Sequence, residues 1–116
     1  SNIFSGTVRD GTLIQPLSDA RFAPLTDAPD GAVKIMVRPE NVTVSLGGAG
    51  AANAVPVTIK DVVYSGATLR VEGLDAEGRQ LIARTRADGT APQIGDKAWF
   101  CWDASATRIV STGGAA

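Results

Sequence analysis

The sequence has no histidine, a single cysteine and few aromatic side chains. Without histidine, the chain lacks the usual general base, the usual neutral-pH switch and the commonest metal ligand. Because Cys101 is the only cysteine, no disulfide can form within the chain, which is typical of a reducing compartment. No apolar run approaches the roughly 20 residues of a membrane-spanning helix, and the N-terminus does not resemble a signal peptide. We therefore expect no direct membrane insertion.

The sequence also has no marked excess of positive or negative charge. The 11 basic and 12 acidic residues give a net charge of −1, which exerts no long-range attraction on phosphate backbones or anionic membranes. Arg70, Arg84 and Arg86 form a basic cluster if they lie on neighbouring strands. The aromatic residues make up only 5% of the chain and are concentrated at Trp99–Trp102, so a stacking platform for bases is absent. We expect no nucleic-acid partner and interpret these arginines as a solvated strand face.

The dominant pattern that is present is an alternation of apolar and polar residues. In Val33–Val37 and again in Val42–Leu46, every second side chain is apolar, which is the period of a half-buried strand. Between them lies Arg38–Asn41, where Pro39 fixes φ near the value that a tight turn requires. The stretch Ala32–Leu46 therefore predicts a β-hairpin.

The rest of the chain repeats short extended segments separated by glycine and proline turns, and no segment predicts a helix. Connections are predicted at Asp10-Gly11, Ser18–Gly31, Gly47–Asn53 and Ala87–Ile94, with a bulge at Lys60–Val62. The predicted strands are Ile3–Val8, Thr12–Leu17, Val55–Tyr64, Ala67–Leu74, Gln80–Arg86, Lys97–Trp102 and Thr107–Val110. A chain of 116 residues fits one domain. We predict an all-β fold over residues 1–116: a small OB-like barrel or two-layer sandwich built from hairpins.

Four segments, in this order, resemble those of a known family. They are Asn2–Val8 (NIFSGTV), Val37–Glu40 (VRPE), Val57–Gly66 (ending Tyr-Ser-Gly) and Gly95–Trp99 (GDKAW). Together they resemble the TOBE domain found C-terminal to the ATPase subunit of bacterial ABC importers of the polyamine, iron and sugar type. The resemblance covers most of the chain.

This resemblance implies a regulatory, dimer-contacting appendage of a longer ABC ATPase subunit, and the first residue, Ser1, suits such a C-terminal piece. The expected partners are its own ATPase domain, a second ATP-binding subunit in a homodimer and the membrane subunits of the transporter. The expected location is cytoplasmic, peripheral to the inner membrane. ATP and Mg²⁺ are expected only in the full-length parent, because these residues contain no GxxxxGK[ST] phosphate loop. We expect no cofactor and no enzyme activity in this part.

Two groups of residues are candidate sites. Arg38, Pro39 and Glu40 form the family motif; the charged pair suits either a charged solute or, as we favour, a structural role at the turn. Phe100 and Trp102 lie on one face of their strand and Trp99 on the other, so the three rings cannot all enter one small core. We consider either a contact of Phe100 or Trp102 with a partner, or a core that uses both faces.

Catalytic and metal sites are not predicted. The acidic residues match no metal-binding loop, and most of them lie in predicted turns, where they bond to the local backbone. These residues are Asp61, Asp75, Glu77, Asp88, Asp96 and Asp103. Ser65 and Ser111 lack a histidine partner. The alternative function is a small-anion or small-solute binding module of the molybdate-binding type, with backbone N–H groups at the Gly66, Gly89 or Gly95 turns as candidate donors.

Overall fold

A computed structural model describes residues 2–15, 19–87 and 91–112. The regular structure in these ranges is β-strand apart from two short 3₁₀ helices, Pro39–Asn41 and Ala104–Ala106, and the strands form two antiparallel sheets, which confirms the predicted all-β class. In chain order, the strands are β1 (Asn2–Arg9), β2 (Thr12–Ile14), β3 (Gly31–Val37), β4 (Thr43–Ser45), β5 (Asn53–Ser65), β6 (Thr68–Leu74), β7 (Gln80–Arg86), β8 (Lys97–Trp102) and β9 (Arg108–Thr112).

The first sheet has the strand order β2-β1-β3-β9. Its β1–β2 hairpin turns at Asp10-Gly11, where φ is +51° and +79°. Both central residues of a type I′ turn need positive φ, and Asp-Gly is a favoured pair there, so the predicted turn is confirmed. The last strand, β9, pairs with β3 at the opposite edge, with a shift in register between Lys34 and Ile35.

The second sheet has the order β4-β8-β5-β6-β7. The long strand β5 changes register between Ile59 and Asp61, which confirms the bulge predicted from the broken alternation. The next hairpin closes at Asp75, whose side-chain oxygen accepts hydrogen bonds from the N–H groups of Glu77 and Arg79 at 2.9 and 2.8 Å. The edge strands β4 and β7 contact each other. The second sheet therefore curls towards closure, as in a small barrel.

The predicted hairpin over Ala32–Leu46 is wrong. Strand β3 pairs with β1 and β9 in the first sheet, whereas β4 pairs with β8 in the second. Between them, Pro39–Asn41 forms one 3₁₀ turn with extended residues on both sides, Arg38 and Val42. This turn redirects the chain from one sheet to the other, because both edges of β3 are already occupied.

The core lies between the sheets. Its largest buried side chains include Phe4 and Ile35 from the first sheet and Phe100 and Ile59 from the second. The ring of Phe4 stacks on Trp102 with centroids 5.4 Å apart and planes at 16°. Phe22, from the irregular connection after β2, meets both rings edge-on, at 5.7 Å from Phe4 and 6.3 Å from Trp102. These three aromatic side chains join strands that are distant in sequence.

A buried amide links the two sheets directly. Asn2, 3% exposed, donates from Nδ2 to the carbonyl oxygen of Ile82 and accepts from its N–H at Oδ1, both at 2.7 Å. Asn2 belongs to β1 and Ile82 to the edge strand β7. The side chain thus acts as a one-residue extension of the second sheet, a role that the sequence pattern did not predict.

Other predicted boundaries shift. Asn53 does not belong to the Gly47–Asn53 loop: it begins β5, is 1% exposed, and accepts a hydrogen bond from the N–H of Ala23 at 2.9 Å. Strand β2 stops at Ile14, and the end of the predicted Thr12–Leu17 strand lies outside the described residues. The last strand continues to Thr112 rather than ending at Val110. Residues 88–90 of the predicted loop also lie outside the described ranges.

Candidate functional site: the groove beside the Arg-Pro-Glu turn

The Arg38–Glu40 motif lies at the corner where the chain leaves the first sheet for the second. The turn is held by its backbone, with the N–H of Asn41 donating to the carbonyl of Arg38 and the N–H of Val42 to that of Pro39, at 3.0 and 3.1 Å. The side chains of Arg38 and Glu40 are exposed and make no hydrogen bond or ion pair with the described residues. Pro39 and the backbone hydrogen bonds therefore fix the shape of this corner. The charged groups of Arg38 and Glu40 are not needed for the turn and are free to contact other molecules.

An open groove of about 370 Å³ lies beside this corner. One wall comes from the first 3₁₀ helix and the other from the second 3₁₀ helix and the start of β9. The lining residues are Arg38, Glu40, Asn41, Ser105, Ala106 and Arg108. Because β9 pairs with β3 so that Arg108 lies opposite Met36, residues 70 positions apart in the chain meet at one end of the first sheet.

The groove offers mainly hydrogen-bond donors. The guanidinium groups of Arg38 and Arg108 each present several N–H groups suited to a planar or tetrahedral oxyanion, and Asn41 and Ser105 add an amide and a hydroxyl group. Glu40 contributes one opposing negative charge. The sequence prediction singled out Arg38 and Glu40 but missed Arg108, because a single arginine in a short terminal strand carries no signal of its own.

Phe100 and Trp102 lie inside the core rather than at the surface. They are 1% and 3% exposed, and the indole N–H of Trp102 donates to the hydroxyl oxygen of Thr107 at 2.9 Å. These two rings therefore have almost no free surface to offer a partner, and their burial supports the core interpretation. Trp99, on the opposite face of β8, is half-buried, with the guanidinium of Arg21 located 5.5 Å from its ring centroid.

Three of the six acidic candidates bond to the nearby backbone, as predicted, whereas Glu77 pairs with Arg79. Besides Asp75, the carboxylate of Asp96 accepts from the N–H of Gln93 at 2.9 Å and that of Asp61 from the N–H of Val62 at 2.9 Å. Within the described residues no group of three or more acidic or cysteine side chains converges on a common point. Asp88 lies outside the described ranges.

The glycine turns predicted as candidate anion sites are compared by whether their backbone N–H groups already donate a hydrogen bond within the chain. The N–H of Gly95, at φ +94°, already donates to the carbonyl of Ile59 at 2.8 Å, so it is not available to an anion. Gly66 lies at an exposed turn with φ +62°. Gly89 is outside the described residues. None of the helices in the described part is long and apolar enough to span a membrane.

Comparison with known proteins places these features in a family. The model of the TOBE domain matches residues 35–110, more than half of the chain and including the Arg38–Glu40 corner and the groove residues. Among solved structures, the cytoplasmic molybdate-binding protein ModG, crystallised with molybdate bound, matches with a TM-score of 0.73 and 16% sequence identity. That match covers 93% of this chain and 94% of ModG. No curated protein matches the sequence. The chain belongs to the TOBE domain family.

Proposed function

We propose that this chain is a non-catalytic accessory domain of an ABC importer's ATP-binding subunit. The observation that carries the proposal is the TOBE domain match over residues 35–110, together with the order of motifs that resembles the importer-type domains. The aromatic cluster and the Asn2–Ile82 hydrogen bonds join the two sheets, which suits a body that acts as one unit. Such a body holds a fixed surface at a distance from the nucleotide and biases the closure of two ATP-binding subunits.

In this role, the catalytic work belongs to the rest of the subunit, where ATP and Mg²⁺ bind. The proposed partners are the ATPase domain, a second ATP-binding subunit and the membrane subunits, at the cytoplasmic side of the inner membrane. The domain's contribution is positional, because a stiff β-module transmits orientation without changing its own packing.

The reading frame of the native gene gives the first test. A GxxxxGK[ST] loop upstream of residue 1 is expected; a start codon immediately before residue 1 would contradict the proposal. The second test compares the intact subunit with a version lacking residues 1–116, by light scattering with and without nucleotide. We expect nucleotide-dependent dimerisation to weaken when the domain is removed, and equal dimerisation would count against the accessory role.

A second candidate function is the binding of a small oxyanion. It is favoured by the groove, which is lined by both Arg38 and Arg108, neither of which forms an ion pair with the described residues, and by the similarity to a molybdate-binding protein. Isothermal titration of the chain with molybdate and sulfate tests it, with Arg108→Gln as the site variant and Arg9→Gln as an exposed control. Binding heat that Arg108→Gln removes and Arg9→Gln retains supports this function. Absence of heat with both anions rejects it and leaves the accessory role unaffected.

A further inference from the structure

Three arginines that are separated in sequence share one face of the second sheet. The register places Val63, Arg70 and Arg84 directly opposite one another across β5, β6 and β7. Arg86 is two residues from Arg84, and since side chains alternate along a strand, it projects from the same side. We refer to Val63, Arg70, Arg84 and Arg86 as the arginine face. This face is opposite to the one that buries Leu69, Val71, Leu81 and Ala83 in the core.

The guanidinium groups of the arginine face form no ion pair with the described residues. The ion pairs formed by the described residues are Lys60–Glu72 and Arg79–Glu77, and neither includes one of these three guanidinium groups. Two carboxylates share this side of the sheet, those of Asp61 and Glu72, which lie opposite each other across β5 and β6. Glu72 is paired with Lys60 and accepts a hydrogen bond from the side-chain amide of Gln80, and Asp61 accepts one from the N–H of Val62, so both have partners other than the three arginines.

This arrangement is unfavourable in the isolated chain. Residues directly opposite in antiparallel strands have Cβ atoms about 4.5–5.5 Å apart, and like charges in such pairs are destabilising. Arg70 and Arg84 form such a pair. Arg86 lies on the same side of β7, two residues beyond Arg84. Carboxylates that bind between these groups would relieve the repulsion and add charge-assisted hydrogen bonds.

The composition of the face points to a protein rather than a nucleic acid. Val63, 44% exposed, lies at the β5 end of the row that continues through Arg70 to Arg84, so an exposed apolar side chain lies directly beside one guanidinium group. Arginine beside apolar surface is typical of protein interfaces. No aromatic ring belongs to these rows to stack on a base: Tyr64, the nearest ring in sequence, pairs with Leu69 on the other side of the sheet.

The area of the face limits the size of the contact. Three strands at about 4.7–4.9 Å spacing place the outermost side chains about 10 Å apart, which suits two or three carboxylates of one short segment. At Ile82, the outer edge of β7 is already hydrogen-bonded by Asn2, which favours docking through side chains over addition of a strand there.

We propose that the arginine face is a docking surface for an acidic segment of a partner protein. Carboxylates of the segment pair with Arg70, Arg84 and Arg86, and an apolar side chain next to them covers Val63. The proposal does not depend on the importer role or on anion binding in the groove, because it involves a different sheet and different side chains.

The test uses the full chain and a fluorescein-labelled peptide of eight residues, Glu-Asp-Leu-Glu-Glu-Leu-Asp-Glu, in a fluorescence anisotropy titration. A peptide with Gln and Asn in place of the acids, a ten-nucleotide single-stranded DNA and vesicles containing phosphatidylglycerol are the comparison ligands. We expect saturable binding of the acidic peptide alone, weakening as salt is added. Replacing one guanidinium by Arg84→Gln should weaken binding about tenfold, whereas Arg9→Gln, an exposed arginine of the first sheet, should leave it unchanged.

Several outcomes would overturn the proposal. They are no saturable peptide binding, DNA or vesicle binding as tight as that of the acidic peptide, and equal loss with Arg9→Gln. Sedimentation that shows self-association lost in Arg84→Gln would assign the face to a second copy of this chain instead. Thermal denaturation follows the folding of the variant independently of binding. Because Arg84→Gln removes a like-charge contact, its Tm at low salt should be at or above that of the original chain. Weaker peptide binding by this variant is then not caused by unfolding.

Discussion

Replacement of Asn2 tests whether one buried amide holds the two sheets together. The Asn2→Ala change removes two hydrogen bonds of 2.7 Å and leaves the N–H and carbonyl of Ile82 without their partner. A net loss of about 1 kcal/mol per hydrogen bond, with a further penalty of up to about 1 kcal/mol for each half-buried backbone group, gives roughly 2–4 kcal/mol of lost stability. In a domain of this size, that corresponds to a fall in Tm of roughly 8–16 °C.

The measurement is urea denaturation followed by tryptophan fluorescence, with Ser5→Ala as the control. Ser5 is an exposed residue of the same strand, so its replacement should change the free energy of unfolding by less than about 0.5 kcal/mol. If Asn2→Ala lay within about 0.5 kcal/mol of the original chain, the idea that this amide ties β1 to β7 would be refuted.

A second variant separates the hydrogen bonds from side-chain volume. In Asn2→Asp, an ionised carboxylate can still accept from the N–H of Ile82 but faces its carbonyl oxygen without a proton to donate. We expect Asn2→Asp to be at least as destabilising as Asn2→Ala at neutral pH. Protonation of the introduced carboxylate restores the hydrogen-bond donor, so its pKa is higher in the folded state than in the unfolded chain. The stability of the variant relative to the original chain therefore rises as the pH falls, and this gain is lost as the pH rises through the folded-state pKa. A variant whose stability relative to the original chain is independent of pH would contradict this account.

The remaining predictions concern packing and turn geometry, and denaturation measurements check each of them. Gly73→Ala should destabilise the fold by about 1–3 kcal/mol, because the new methyl group would lie 2.9 Å from the side chain of Val57 and 3.1 Å from the ring of Phe100. Phe100→Ala should lower stability by about 3–5 kcal/mol, and a change below about 1 kcal/mol would argue against its core position. Gly95→Ala, at φ +94°, should cost about 1 kcal/mol or more, whereas Gly47→Ala, with no atom within 4 Å, should be nearly neutral. Equal effects at the two glycines would show that backbone conformation is not the cause.

Local patterns in the sequence predicted most strands and several turns, because they report properties of adjacent residues. The alternation in Gln80–Arg86 gives the buried and exposed faces of β7, and its predicted bounds match the structure. Asp10-Gly11 predicts its turn since the required positive φ values suit these two residues. The broken alternation near Lys60 marks the bulge for the same local reason.

The candidate site was only partly predictable. The family resemblance singles out Arg38 and Glu40 but not their neighbour Arg108, because nothing in the sequence indicates that β9 returns to pair with β3. The arginines of the second sheet were recognised as a cluster, yet the sequence does not show that Arg70 and Arg84 lie directly opposite each other. Both facts depend on strand register.

Residue types and their immediate spacing are enough to establish the strand periodicity, most of the turns and the absence of histidine chemistry. Three features follow from the three-dimensional packing instead: β3 and β4 enter different sheets, Phe100 and Trp102 are buried, and Asn2 joins β1 to β7. This difference arises because backbone hydrogen bonds between strands are nearly independent of sequence. A strand's partner is therefore selected by how all the apolar faces pack together, which no single segment encodes.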